Sequence, residues 1–154
     1  MLISCVLGSQ NLTNEDLNKL YYDPKWSSSK IYRKTGIHSR PVVKDELVSD
    51  LAVGAAERLF EEHGIDRREV DFLLLCTQSP DYYLPTTACL VQDRLGLPTS
   101  IGALDFNLGC SGFIYGLSLA QGLLSTEAAN KVLLIMSETY SRHVHPMDKS
   151  TRTI

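Results

Sequence analysis

Val70-Asp71-Phe72-Leu73-Leu74-Leu75-Cys76 is apolar at every position after Asp71, with no alternation, and Val132-Leu133-Leu134-Ile135-Met136 repeats the pattern. A strand with one wet face alternates polar and apolar residues with period two; a strand hidden on both faces does not. Both runs therefore read as inner strands of a parallel sheet, covered by helices on either side. The neighbouring segments supply such helices. Over 49–63 the apolar positions Leu51, Ala52, Ala55, Ala56, Leu59 and Phe60 recur at three- and four-residue steps, which predicts an amphipathic helix closed by Gly64 with Ile65 folded back. Helices are also predicted at 86–95 and 111–125, the latter with Phe113, Leu117, Ala120 and Leu124 on one stripe, around a strand at 101–106. A first strand is expected over 2–8. Thr13 caps a helix that runs to Tyr22, with Glu15 and Asp16 at the positive end of its dipole, and 23–29 reads as a loop before a short turn of helix at 30–34. The order β-α-α-β-α-β-α-β is the grammar of an α/β layered domain. Residues 148–154 read as the approach to another strand, which predicts a chain cut short.

With 154 residues and 44% hydrophobic content, the chain can bury one sizeable core. Its formal net charge of -3 provides no field to condense on phosphate backbones, so nucleic-acid binding is excluded. No apolar run approaches the about 20 residues that cross a bilayer. The cysteines Cys5, Cys76, Cys89 and Cys110 are far apart and form no C-x-x-C pair, which fits a reducing cytoplasm rather than a stapled secreted domain. Leu2-Ile3-Ser4-Cys5 resembles a lipoprotein cleavage box but lacks the basic leader and long apolar run of an export signal. Cys5, Cys76 and Cys89 are each expected to fill space within or beside an apolar strand or helix stripe.

Asp105-Phe106-Asn107-Leu108-Gly109-Cys110-Ser111-Gly112-Phe113 is where the chemistry gathers. Here a strand gives way, at a cysteine between glycines, to a strongly apolar helix. A cysteine at that junction faces the first free amides of the helix, and the positive end of the dipole favours its nucleophilic, ionised form. Gly109 and Gly112 leave room for a substrate carbonyl, as covalent acyl transfer requires. On the residues alone, a core-filling Cys110 is as good a reading.

The segment from Asp105 to Gly116 is similar to the active-site segment of the β-ketoacyl-acyl-carrier-protein synthase III family, in which a cysteine before Ala/Ser-Gly-Phe opens the central helix. Four further stretches agree in order: Lys34-Thr35-Gly36-Ile37, Leu84-Pro85-Thr86-Thr87-Ala88-Cys89, Ser137-Glu138 and Pro146-Met147-Asp148-Lys149-Ser150-Thr151. The resemblance implies an α/β thiolase-like layered fold, α-β-α-β-α in the complete enzyme, of which residues 1–154 form only the amino-terminal half. It further implies a decarboxylative Claisen condensation. Cys110 would take an acyl group from a coenzyme A or carrier-protein thioester, and malonyl-acyl-carrier-protein would lose carbon dioxide and attack it, in fatty-acid or related lipid or polyketide synthesis. No cofactor is implied beyond the coenzyme A and phosphopantetheine thioesters that serve as substrates. The implied partners are acyl carrier protein and a second copy, pairing through the strand at 101–106.

The family's enolate-stabilising histidine and asparagine come from the carboxyl-terminal half, so no histidine here is expected to take that role. His143 and His145 form an H-x-H pair with no third ligand at a recognisable spacing, and a solvated loop is the expectation rather than a metal site. His38 and His63 read as equally ordinary. The resemblance assigns substrate contacts to Lys34, Thr35, Leu84 and Lys149. Lys149 stands where acetyl-CoA-using members carry the arginine of an adenine clamp, and Trp26 lies upstream of the clamp's tryptophan. Lysine lacks the planar guanidinium that stacks on a base, which points to an acylated carrier protein or a longer acyl thioester as donor. Leu84, often phenylalanine in the family, would reach across a dimer interface to the partner's acyl tunnel; plain packing is the other reading. Two other classes remain open: a non-catalytic half-domain or dimerising partner of a condensing enzyme, and a cysteine acyl hydrolase.

Overall fold

The computed structural model describes residues 1–154. In chain order the elements are β1 (Gln10–Thr13), α1 (Asn14–Tyr21), a 3-10 turn at Pro24–Trp26, α2 (Ser28–Thr35), β2 (Ser39–Val42), α3 (Val48–His63), a 3-10 turn at Arg67–Glu69, β3 (Phe72–Cys76), α4 (Thr87–Arg94), β4 (Gly102–Phe106), α5 (Gly112–Ser125), β5 (Val132–Met136), a 3-10 turn at Tyr140–Arg142 and α6 (Lys149–Arg152). They form two compact units, one of Met1–Val6 with Leu47–Glu138, the other of Leu7–Glu46 with Thr139–Ile154.

The first unit is built on β3, the middle strand of a parallel sheet ordered β4-β3-β5. Its residues alternate between the two faces even though the sequence does not. Leu73 and Leu75, with Leu133 and Ile135 of β5, meet Val48, Ala52, Ala56 and Phe60 of α3 and Ala88 and Val91 of α4 in one buried cluster. Fully burying an aliphatic or aromatic side chain contributes about 1.5–3 kcal/mol, so this cluster outweighs any surface pair in the unit. The α3 helix ends as expected, with Gly64 left-handed and the Ile65 amide donating to the Phe60 carbonyl at 3.0 Å.

The other sheet face receives α5, but not by the expected stripe. Gly112 and Gly116 are its buried residues. A Cβ on Gly116 would stand 2.8 Å from both Leu134 Cδ1 and Met136 Cε, so the glycines let the helix backbone lie against the strands. Phe113 and Leu124 of the predicted stripe are exposed instead, as are Ile114, Tyr115 and Leu119. Periodicity finds a helix but cannot separate an inward glycine row from an outward apolar row.

The expected first strand at 2–8 is also corrected: the segment has no strand partner, and Leu2, Ile3 and Leu7 are exposed. Its residues up to Val6 rest instead on α3, where the Ser4 hydroxyl donates to Glu62 at 2.9 Å and the Cys5 carbonyl accepts from Arg58 at 3.1 Å.

The second unit holds an antiparallel pair that sequence patterning missed, β1 with β2 in the register Gln10↔Val42 to Thr13↔Ser39. Both strands are four residues long and β2 contains Pro41, too short and too irregular for an alternation signal. Thr13 caps α1 as predicted, its Oγ1 accepting from the Asp16 amide while Asp16 accepts from the Thr13 amide. Leu17, Tyr21 and Ile31 form the core, with Leu12 and Trp26 against it. The presumed loop at 23–29 contains the Pro24–Trp26 turn, capped by Asp23, and the start of α2.

Within 148–154 the chain forms the single-turn helix α6. Asp148 caps it, accepting from the amides and hydroxyls of Ser150 and Thr151. These bonds, that of the Ser150 side chain foremost, hold the Asp148 carboxyl down to about 2, from an ordinary 3.8. A carboxyl whose folded value is depressed stabilises above its unfolded value and loses that contribution as pH falls through the folded one. The melting-temperature deficit of Asp148→Ala is therefore expected to be full at pH 7 and to shrink between about pH 4 and pH 2. Melting curves across that range check it, and a deficit that stays constant would contradict it.

Candidate active site

The β4 strand ends at Phe106, and Asn107 to Ser111 turn the chain into α5. Cys110 lies in this turn, directly before the cap residue Ser111, and is exposed. The Gly112 amide, the first of α5, donates to the Gly109 carbonyl at 2.8 Å within the turn itself, and the amides of Phe113 and Ile114 that follow have no intrahelical partner. The expected junction of strand, cysteine and helix is present, and the core-filling alternative for Cys110 is not.

The turn is braced by the end of β3. Buried Cys76 donates its thiol to the Leu108 carbonyl at 3.1 Å. A Cβ on Gly112 would come 2.4 Å from Cys76 Sγ, and one on Gly109 would come 2.8 Å from Gln78 Oε1. A larger residue at 112 would push the turn off its support, whereas at 109 the end of the flexible Gln78 side chain would have to move aside. Burial raises the Cys76 thiol above its usual value.

Two carboxylates that the sequence did not single out tie the strand ends together. Asp105 accepts from the Thr87 and Ala88 amides at 2.8 and 2.6 Å, joining β4 to the start of α4. Glu138, just past β5, accepts from the Gln78 amide at 2.9 Å, from the Thr77 hydroxyl at 3.3 Å and from the Ser79 hydroxyl. Both residues stand inside segments noted above, yet nothing in a linear sequence names their partners.

The second unit contains a cavity of about 460 Å³ lined by Lys25, Trp26, Lys30, Ile31, Arg33, Lys34 and Thr35. Lys34 Nζ lies 5.7 Å from the centre of the Trp26 ring, whose edge packs on Tyr21. One cation over the aromatic ring, with three more along the cavity wall, suits a ligand with phosphate and a flat base. Lys34 and Thr35 are thus brought together with Trp26, although the Thr35 hydroxyl is engaged within the helix end, donating to the Ile31 carbonyl and accepting from the Ile37 amide. Lys149 does not line the cavity. Its Nζ pairs with Asp23 at 2.8 Å and lies 5.6 Å from the Tyr21 ring centre, and this pairing lowers the Asp23 carboxyl.

Leu84 is 86% exposed, at the tip of a loop whose Tyr82 and Tyr83 are also exposed, so plain packing does not account for it. His143 and His145 lie on the surface, the latter's Nδ1 accepting from the Met147 amide at 3.1 Å. Of the three cysteines expected to fill space, only Cys76 does; Cys5 and Cys89 are exposed. Cys5 lacks the strand that was to enclose it, and Cys89 sits on the outer side of α4. No helix is long and apolar enough to cross a membrane.

The family model for 3-oxoacyl-[acyl-carrier-protein] synthase III matches residues 104–154. The β-ketoacyl-[acyl-carrier-protein] synthase III of Xanthomonas euvesicatoria is 39% identical over 146 residues, 94% of this chain and 44% of that protein. A crystal structure of a 3-oxoacyl-(acyl-carrier-protein) synthase III superimposes with a TM-score of 0.94 at 53% identity, covering 99% of this chain and 45% of that one. The corresponding enzyme from Aquifex aeolicus gives a TM-score of 0.91 at 33% identity, covering 99% and 48%. The chain thus has the α/β fold of the thiolase-like proteins. Within them it belongs to the β-ketoacyl-[acyl-carrier-protein] synthase III family, and it spans under half the length of the relatives it matches.

Iodoacetamide under native conditions is expected to modify Cys5, Cys89 and Cys110 and to spare Cys76, as peptide mass mapping would show. Early labelling of Cys76 would refute the buried bond to Leu108.

Proposed function

We propose that this chain carries the acyl-accepting nucleophile of a decarboxylative condensing enzyme. The Cys110 sulfur attacks the carbonyl of a coenzyme A or carrier-protein thioester. The tetrahedral oxyanion collapses, and the departing thiolate takes up a proton in place of the one that the Cys110 thiol gave up. Malonyl-acyl-carrier-protein then loses carbon dioxide, and the resulting carbanion attacks the acyl-Cys110 carbonyl, forming the carbon–carbon bond and returning the thiolate. The observation that carries this reading is the exposed Cys110 in the turn that opens α5, braced by Cys76 at the end of β3 and by Gln78 just beyond it. The family to which the chain belongs supports it.

The cation-lined cavity argues for coenzyme A as one form of the donor. Trp26 supplies the flat face, Lys34 and its neighbours supply charge for phosphate, and Thr35 forms part of the wall. Lys149 lies outside the cavity, paired with Asp23, and takes no part in this reading of the donor site. The exposed apolar residues of α5 favour action together with further polypeptide that covers them. A homodimer is supported by β4, which pairs only with β3 and leaves its other edge open, and by Leu84, exposed as a group reaching a second subunit must be. Acyl carrier protein is the proposed partner that delivers the malonyl unit.

Incubation with radiolabelled acyl-CoA and acyl-carrier protein is expected to leave one acyl group on Cys110, absent in Cys110→Ala. Absence of covalent acyl protein with donors of every chain length would sink the reading. Trp26 is the only tryptophan, so its fluorescence reports directly on the cavity. Coenzyme A is expected to quench it, with Lys34→Ala weakening binding about tenfold; an unchanged titration would remove the cavity from the donor site.

A further inference from the structure

Cys76 and Gln78, at the end of β3, contact the turn that presents Cys110, and the proposed acyl transfer gives them no role. Cys76 touches the turn on both sides of the nucleophile: its thiol bonds the Leu108 carbonyl at 3.1 Å, and its sulfur occupies the space where a Cβ on Gly112 would stand. Gln78 lies against Gly109 between these two contacts, with its own amide pinned by Glu138 at 2.9 Å. The support is itself rigid, because β3 is hydrogen-bonded on both edges and the Thr77 amide continues the ladder to the Phe106 carbonyl at 3.2 Å.

We propose that Cys76 is a positioning residue for Cys110, a hydrogen-bond donor that fixes the Leu108–Gly112 turn and so the direction in which the nucleophile and the first amides of α5 face an incoming thioester. This rests on the reading of Cys110 as the acyl acceptor. The residue at 76 must satisfy two demands at once. It must donate to Leu108, which alanine and valine cannot do, and it must fit beneath Gly112, which excludes long side chains. Serine meets both nearly as well as cysteine. Because burial keeps the Cys76 thiol protonated, it serves as a donor and does not compete as a nucleophile.

The test compares the full chain with Cys76→Ala, Cys76→Val and Cys76→Ser. Carboxamidomethylation of Cys110 is timed by peptide mass against Cys5 and Cys89 in the same sample, which cancels reagent and global-unfolding effects. Cys76→Ala is expected to slow Cys110 about fivefold relative to both references, with Cys76→Ser within about twofold of the parent. Cys76→Val keeps the volume without the donor and is expected to match Cys76→Ala; it decides the matter if the alanine variant does not fold. An unchanged ratio in Cys76→Ala and Cys76→Val overturns the inference, as does Cys76→Ser behaving like Cys76→Ala. Acylation by labelled acyl-CoA is followed in parallel. If the parent takes up no label, the functional reading fails, while the alkylation ratio still judges Cys76.

Discussion

Strand β3 has to hide both of its faces, and the rest of the first unit is arranged around that demand. Leu73 and Leu75 are covered by α3 and α4, while Leu74 and Cys76 point to the side on which α5 lies. Parallel neighbours on both edges satisfy its backbone groups, and parallel strands require crossovers, which the helices provide. The two demands meet at α5. Its backbone can approach the sheet only because Gly112 and Gly116 carry no side chain there.

Parallel register also explains why chemistry collects where it does. Cys76, Phe106 and Met136 are aligned across the sheet, so the chain leaves all three strands at one end. The segments that follow therefore meet: Gln78 with Gly109, and Glu138 with Thr77 and Gln78. Strand ends of open α/β sheets are the usual location of ligand sites for this reason. In the second unit the cavity depends on a different device, the capped turn at Pro24–Trp26, which presents Trp26 to the cationic side of α2.

Most of the architecture was legible in the sequence because burial leaves a mark on composition. Two unalternating runs fixed β3 and β5, and the cysteine between glycines fixed the junction before α5. What escaped depends on contacts rather than composition. The four-residue strands β1 and β2 are too short to show a period, and an apolar start at Leu2 looks like a strand whether or not anything pairs with it. The α5 stripe was misread because the residues pressed against the sheet are glycines, which carry no hydrophobic signal. Lys25, Lys30 and Arg33 were missed as cavity residues since surface cations are commonplace, and only their grouping around Trp26 distinguishes them.

The outward side chains of α5, Phe113, Ile114, Tyr115 and Leu119, are open to solvent, and this has a bearing on how the chain fares in a crowded cell. While nothing lies on it, this ridge is the kind of surface that holdase chaperones bind and that drives neighbouring nascent chains to clump. Yield and recovery in a cell should accordingly track how quickly the ridge is hidden, more than how firmly the sheet beneath it is packed.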